Sequence, residues 1–259
     1  MSVQKSWSEL QTMARACRIV VDTLEVLEQA AVPGVTTKEM DRIARECIEK
    51  AGARPAFLGY RGYPATLCIS VNEEVVHGIP GPRKLKEGDI VGLDLGCIVD
   101  GFFGDAARTV AVGKASEGAE RLMRTTREAL HAGIDQCRPG RRVGDIGHAV
   151  QSLAESRGYS VVREFVGHGI GTSLHEEPQV PNYGPPGRRE RLVPGMCLAI
   201  EPMVNVGGPE VEVLADGWTA VTRDRSLSAH FELSIAVTPQ GPWILSEPYP
   251  YGDAEAAHA

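Results

Sequence analysis

The chain has 259 residues, a formal net charge of −7 and a pI near 5.6, so it is long enough for one large domain or two small ones around a substantial core. The acidic balance, without any Lys/Arg block, excludes a nucleic-acid footprint, and no apolar run approaches the roughly 20 residues that a membrane helix needs. There is no basic, apolar leader pattern, and the six cysteines (Cys17, Cys47, Cys68, Cys97, Cys137 and Cys197) form no CxxC pair, which points to buried thiols in a reducing cytoplasm rather than disulfides.

In chain order, apolar periodicity predicts a first helix over roughly Ser8–Ala31. The stretch "PGVTTKEMDRIARECIEKAG" (33–52) reads as a second: Pro-Gly, a short polar lead-in, an acidic residue, an amphipathic pattern and a closing glycine. "VVHGI" (75–79) then places His77 in a glycine-flanked loop before the first strong strand, "LKEGDIVGLD" (85–94). "DLGCIVDGFFGDAART" (94–109) reads as a hairpin, because Asp100-Gly101 is a strong two-residue turn signal. That turn pairs Val99 with Phe102, Gly96 with Asp105 and Asp94 with Ala107, so Asp94 and Asp105 become diagonal neighbours on one face, roughly 7–8 Å apart at the backbone. Two carboxylates aimed at one point need protons, a cationic side chain or a metal between them. For an isolated hairpin, two edge aspartates in water is the simpler reading.

The second half repeats the pattern. A helix over Glu117–Cys137 precedes "PGRRVGDIGHAVQSLAESRG" (139–158), which matches 33–52; "VGHGI" (166–170) matches "VVHGI" and sets His168 against His77. "LVPGMCLAIE" (192–201) matches "LKEGDIVGLD" and sets Glu201 against Asp94. The expectation is a single domain over 1–259 with an internal duplication, its halves about 8–113 and 117–248. A lone acid or histidine on an apolar strand is more often a hydrogen-bonded structural residue than a ligand. Recurrence of the same residue classes in both halves shifts that balance toward one shared site. With Glu232 from the apolar alternation of "SAHFELSIAV" (228–237), the set becomes Asp94, Asp105, His168, Glu201 and Glu232. Four carboxylates and one imidazole suit one or two divalent metals, and two fit the negative charge better.

"NEEVVHGIP", "DLGCIVDGFFGDAART", "GHGIGTSLHEEPQVPNYG", "EPMV" and "SLSAHFE", spread from about Ser8 to Pro248, resemble the type I methionine aminopeptidases in their minimal bacterial form. The resemblance implies an α/β (α+β) pita-bread fold, a pseudo-two-fold antiparallel sheet with helices on its outer face. It implies that Asp94, Asp105, His168, Glu201 and Glu232 hold two divalent ions (Co, Mn, Fe, Zn or Ni) and that a bridging hydroxide attacks the scissile carbonyl. Removal of the initiator methionine when the second residue is small is the implied activity. Glu201 is the candidate base, and by resemblance His77 and His175 are donors to the substrate. Tyr60, Tyr63, Cys68 and Trp218 match the family's methionine pocket, with Phe57 and Leu174 completing it. A cytoplasmic monomer acting on nascent polypeptide N-termini is implied, with no membrane or specific nucleic-acid partner and with contact to the ribosome near its exit tunnel left open.

Two departures stand beside the last ligand: His230 where many members carry Gln, and Leu233 where many carry His. His230 shares a strand face with Glu232 and is expected to donate to that carboxylate and orient it. His131, His148, His258 and the Ala-rich tail receive no role. The alternatives are a proline-specific peptidase on the same fold, which the chain is too short to match, and a binding protein that has lost its metal, which the complete ligand set argues against.

Overall fold

The computed structural model describes residues 4–252, so His258 and the Ala-rich tail lie outside the described residues. Helix α1 (Trp7–Ala30) begins at a reciprocal cap between Ser6 and Glu9. It runs on because Leu10, Met13, Cys17, Val20, Leu24 and Leu27 recur every three or four residues on one buried face. Helix α2 (Thr37–Lys50) starts at Thr36, whose hydroxyl accepts from the Glu39 amide at 3.1 Å. Strands β1 (Arg54–Pro55), β2 (Cys68–Val71) and β3 (Glu74–Val76) lead to the long hairpin of β4 (Ile90–Val99) and β5 (Phe102–Ala111). Asp100 and Gly101 take positive φ, 49° and 84°, the tight turn that matches strand twist. Val99 pairs with Phe102, Gly96 with Asp105 and Asp94 with Ala107, the expected register. Helix α1 can lie against this hairpin because Gly104 is bare: a Cβ there would sit 2.5 Å from the Cys17 nitrogen.

Helices α3 (Glu117–Ile134) and α4 (Val143–Ser156) follow as a packed pair. The remaining strands are short: β6 (Ser160–Val161), β7 (Gly167–Gly169), β8 (Glu176–Val180), β9 (Cys197–Ile200), β10 (Met203–Asn205), β11 (Val211–Val213), β12 (Ala220–Thr222), β13 (Ser228–His230), β14 (Glu232–Val237) and β15 (Pro242–Ile244). The main antiparallel sheet runs β1-β4-β5-β14-β9-β7-β8, with β2 also on β4 and β15 also on β14. Two three-stranded sheets, β13-β10-β6 and β11-β12-β3, complete the strands.

Each helix pair serves its own part of the main sheet. Val20, Leu24 and Met40 of α1 and α2 pack with Leu93 and Leu95 of β4, while Leu122 and Ile146 of α3 and α4 pack with Leu198 of β9 and Ile235 of β14. Each such leucine contributes about 1.5–3 kcal/mol by burial. Leu233 packs against both cores where β14 meets β5. Strand alternation turns it away from the face that carries Glu232. The Leu233 departure therefore falls on the core side of the sheet.

Strand pairing corrects one expected equivalence. Gly92, two residues before Asp94, pairs with Ser70 of β2. Ala199, two residues before Glu201, pairs with His168 of β7. By register the first-half counterpart of His168 is Ser70, not His77. His77 follows β3, which pairs with β12 in a different sheet. The strings "VVHGI" and "VGHGI" are alike locally, but they meet different partners, and the long-range ladder decides where each histidine goes.

Candidate metal centre

Asp94 lies mid-way along β4 and Asp105 on β5, brought to one face by the hairpin register. Glu232 opens β14 opposite Ala107, Glu201 directly follows β9, and His168 lies on β7 beside Ala199. All five line one cavity of about 150 Å³. So do the other residues put forward from the sequence: Tyr60, Tyr63, Cys68, His77, Leu174, His175, Trp218 and Phe57.

The floor of this cavity is buried and electrostatically unsatisfied. Asp105, His168 and Glu232 are 4%, 7% and 3% exposed. Asp94 Oδ1, Asp105 Oδ1 and Glu232 Oε1 are buried without a hydrogen-bond partner. Burial raises the Asp94 carboxyl to about 7. It holds Asp105 and Glu201 well above the carboxylate range, with Asp94 adding repulsion to both, and holds Glu232 there with repulsion from Asp105. Burial lowers His168 to about 3 and keeps it neutral. Its Nδ1–H donates to the Gly169 carbonyl oxygen at 2.9 Å, which leaves the Nε2 lone pair free, 3.4 Å from Glu201 Oε1. Ligand atoms of Asp105, His168 and Glu232 lie within 4.8 Å of one another, as do those of Glu201, His230 and Glu232. A divalent cation satisfies the orphaned oxygens, the mutual repulsion and the neutral imidazole together, so the donor set fits one.

His230 is buried and shares this region, but it does not make the expected hydrogen bond. Its Nε2 stands 3.9 Å from Glu201 Oε2 and 3.9 Å from Glu232 Oε2, beyond hydrogen-bond reach, and has no partner.

The mouth is built differently. His77 has φ 62°, a left-handed conformation uncommon for a side chain of its size. Its ring meets Phe165 edge-on at 5.3 Å and Trp218 at 6.2 Å. Burial, with help from His175, lowers its pKa to about 4. His175 stacks on Tyr60 at 5.4 Å, with Nδ1 2.8 Å from the Tyr60 hydroxyl; burial and then Arg61 lower its pKa. The loop carrying Leu174 and His175 is fixed by Glu176, which accepts from the Thr172 and Ser173 amides and pairs with the buried Lys5 ammonium. Beside the carboxylates runs an apolar wall. The Tyr63 hydroxyl donates to the Gly78 carbonyl at 2.9 Å, Trp218 meets the Tyr63 ring at 5.1 Å, and Cys68 pairs with Asp94 in the sheet.

Sequence reasoning missed two contributors. Arg61 lines the cavity and stands over the Tyr60 ring at 5.4 Å; its signal was its place between Gly59 and Gly62 in "LGYRGYP". Phe165, three residues before His168, carried no signal beyond being apolar beside a polar motif.

Residues 11–239 match the family described as Metallopeptidase family M24. The class that fold and site define is thus a metal-dependent peptide hydrolase. A methionine aminopeptidase of Clostridium perfringens is 51% identical over 246 residues, covering 95% of this chain and 99% of that protein. The crystal structure of methionine aminopeptidase from Thermotoga maritima superposes with a TM-score of 0.94 at 46% identity, covering 96% of this chain and 100% of the other. The chain belongs to metallopeptidase family M24 and, within it, to the methionine aminopeptidases, and its pita-bread fold is the one expected. The prolidase from Pyrococcus furiosus, 20% identical with a TM-score of 0.77 and covered over 66% of its length, shares the fold alone.

Proposed function

We propose that this chain removes the N-terminal methionine of nascent polypeptides when the second residue is small, with two divalent ions held by Asp94, Asp105, His168, Glu201 and Glu232. The observation that carries this reading is one cavity in which orphaned carboxylates lie directly beside an apolar wall. The ions, from among Co, Mn, Fe, Zn and Ni, supply when bound Lewis acidity toward the scissile carbonyl and a water acidic enough to react near neutral pH.

The chain's own groups do the rest. Glu201, which follows β9 directly and lines the cavity, takes a proton from the attacking water and returns it to the leaving amine. His77, neutral at pH 7, donates to the substrate carbonyl as charge develops there. His175, held by Tyr60, is the second donor. The carboxylates receive the free α-amino group, which restricts attack to the first peptide bond. The methionine side chain packs among Tyr60, Tyr63, Cys68, Leu174, Trp218 and Phe57, a burial worth about 1.5–3 kcal/mol. His77 and His175 crowd the next position and leave room for Gly, Ala, Ser, Cys, Thr, Pro or Val.

No helix among the described residues is long and apolar enough to cross a membrane, and the cysteines are free. The free thiols fit a reducing compartment such as the cytoplasm, where nascent polypeptide N-termini are presented. The test compares Met-Ala, Met-Lys, Leu-Ala and Ala-Pro peptides under saturating metal, with release expected from Met-Ala alone. Comparable release from the first three overturns the pocket reading, and preferential cleavage of Ala-Pro assigns the chain to proline-specific chemistry.

A further inference from the structure

We propose that His230 is a sixth donor to the metal centre, so that the centre carries two imidazoles, His168 and His230, rather than one. The inference rests on the metal-dependent reading above.

His230 is 3% exposed and its Nε2 has no hydrogen-bond partner, in a molecule where leaving a buried polar atom unpaired costs about 1–3 kcal/mol. Its backbone is pinned. The Thr109 hydroxyl accepts from the His230 amide and donates to the His230 carbonyl, each at 2.9 Å, and β13 pairs His230 with Met203. With Cα fixed at the end of β13, and Phe231 alone between it and the start of β14 at Glu232, Nε2 comes to rest between Glu201 and Glu232, 3.9 Å from an oxygen of each.

Neither neutral tautomer is content there without a cation. If Nε2 carries the proton, both acceptors are out of hydrogen-bond reach. If it does not, a lone pair faces two carboxylates. Two atoms each bound to one ion at about 2.1 Å can stand no more than about 4.2 Å apart, and both 3.9 Å separations fall inside that limit. The ligand atoms of Glu201, His230 and Glu232 also lie within 4.8 Å of one another, a triad that shares Glu232 with Asp105 and His168. A glutamine at this position offers a carboxylate its amide protons; an imidazole offers a cation its nitrogen, and it favours Co, Zn or Ni over Mn.

The experiment counts imidazoles directly. In protein loaded with two equivalents of Co²⁺, each bound histidine contributes one solvent-exchangeable, hyperfine-shifted ring N–H proton resonance. Two are expected in the wild type. His230→Gln is expected to lose one of them and His168→Gln the other, with Co²⁺ affinity in His230→Gln weakened at least about tenfold in competition with a chelator. A single resonance in the wild type, or two that persist in His230→Gln with unchanged affinity, overturns the assignment and leaves His230 a structural neighbour. The wild-type count stands even where a variant does not fold. Failure of the wild type to bind any divalent ion overturns the metal reading itself, an outcome distinct from a one-histidine centre.

Discussion

The floor and the mouth of the cavity are held by different forces. Asp105, His168, His230 and Glu232 sit on paired strands, each less than a tenth exposed, and several of their polar atoms have no partner. Tyr60, half-buried at the start of a short 3-10 turn (Tyr60–Gly62), and His175, exposed on a loop, are partnered with each other, and their segments are tied down by Glu176 and by Asp41, which accepts from the Thr66 and Leu67 amides. The floor stores electrostatic conflict that an ion resolves. The mouth carries only the milder opposition of His175 to His77 and of Arg61 to His175. Charge that must converge is placed where sheet register fixes direction, while shape selection is left to loops braced from behind.

The sharpest way to break this contrast is to remove the ion. Strong chelation is expected to abolish peptide release, and Mn, Co or Fe to restore it; full turnover in rigorously metal-free protein would mean that the floor is not a metal centre. His77→Ala probes the mouth. It is expected to lower kcat roughly 10²-fold or more, as loss of one transition-state donor does, while metal content by elemental analysis stays at the wild-type level. An unaltered rate removes His77 from the chemistry.

Acidity separates the two regions next. Folding raises the Asp94 pKa from 3.8 to about 7, so its proton stabilises the metal-free protein at low pH, and that stabilisation is lost as pH rises through about 7. Below about 6.5 the buried neutral histidines work in the opposite sense, because folding lowers their pKa values. The clean window therefore opens at about pH 6.5 and closes as Asp94 finishes ionising just above 7, and across it metal-free protein is expected to melt at progressively lower temperature. Over the same window metal affinity should tighten roughly tenfold per pH unit for each proton displaced. Titration calorimetry in buffers of different ionisation enthalpy reads the released protons, and a pH-independent affinity contradicts the raised carboxyl. Tyr60→Phe is the smallest test. Removing the hydroxyl that meets His175 should cost about 0.5–1.5 kcal/mol, a two- to tenfold fall in kcat/KM, with metal affinity unchanged.

The hairpin was legible because its signals are local: Asp100-Gly101 fixes the turn, and a period of two then fixes which face Asp94 and Asp105 share. The four helices were legible from periodicity and caps, to within a few residues at their ends. The supposed equivalence of His77 and His168 misled, because two similar pentapeptides are sorted by ladders to β12 and β9 that lie far along the chain. His230 shows a finer limit. Alternation assumed one strand through His230 and Glu232, but β13 ends at His230 and β14 opens at Glu232 in another sheet, and the 3.9 Å gap that denies it a hydrogen bond depends on three elements meeting. Arg61 went unread because an exposed arginine between glycines has many uses, and only the folded loop brings it over Tyr60.

Strand β14 belongs to the last part of the chain, yet it lies in the middle of the main sheet, between β5 and β9. During synthesis the two halves of that sheet therefore emerge before the strand that joins them. Long-range closure of this kind is slow, since the entropy of a large loop is lost before the contacts that compensate it form. Pulsed hydrogen exchange during refolding should find β5 and β9 gaining protection together with β14. Glu232, which opens that strand, arrives with it. An enzyme that trims other proteins at their beginnings is itself complete only near its own end.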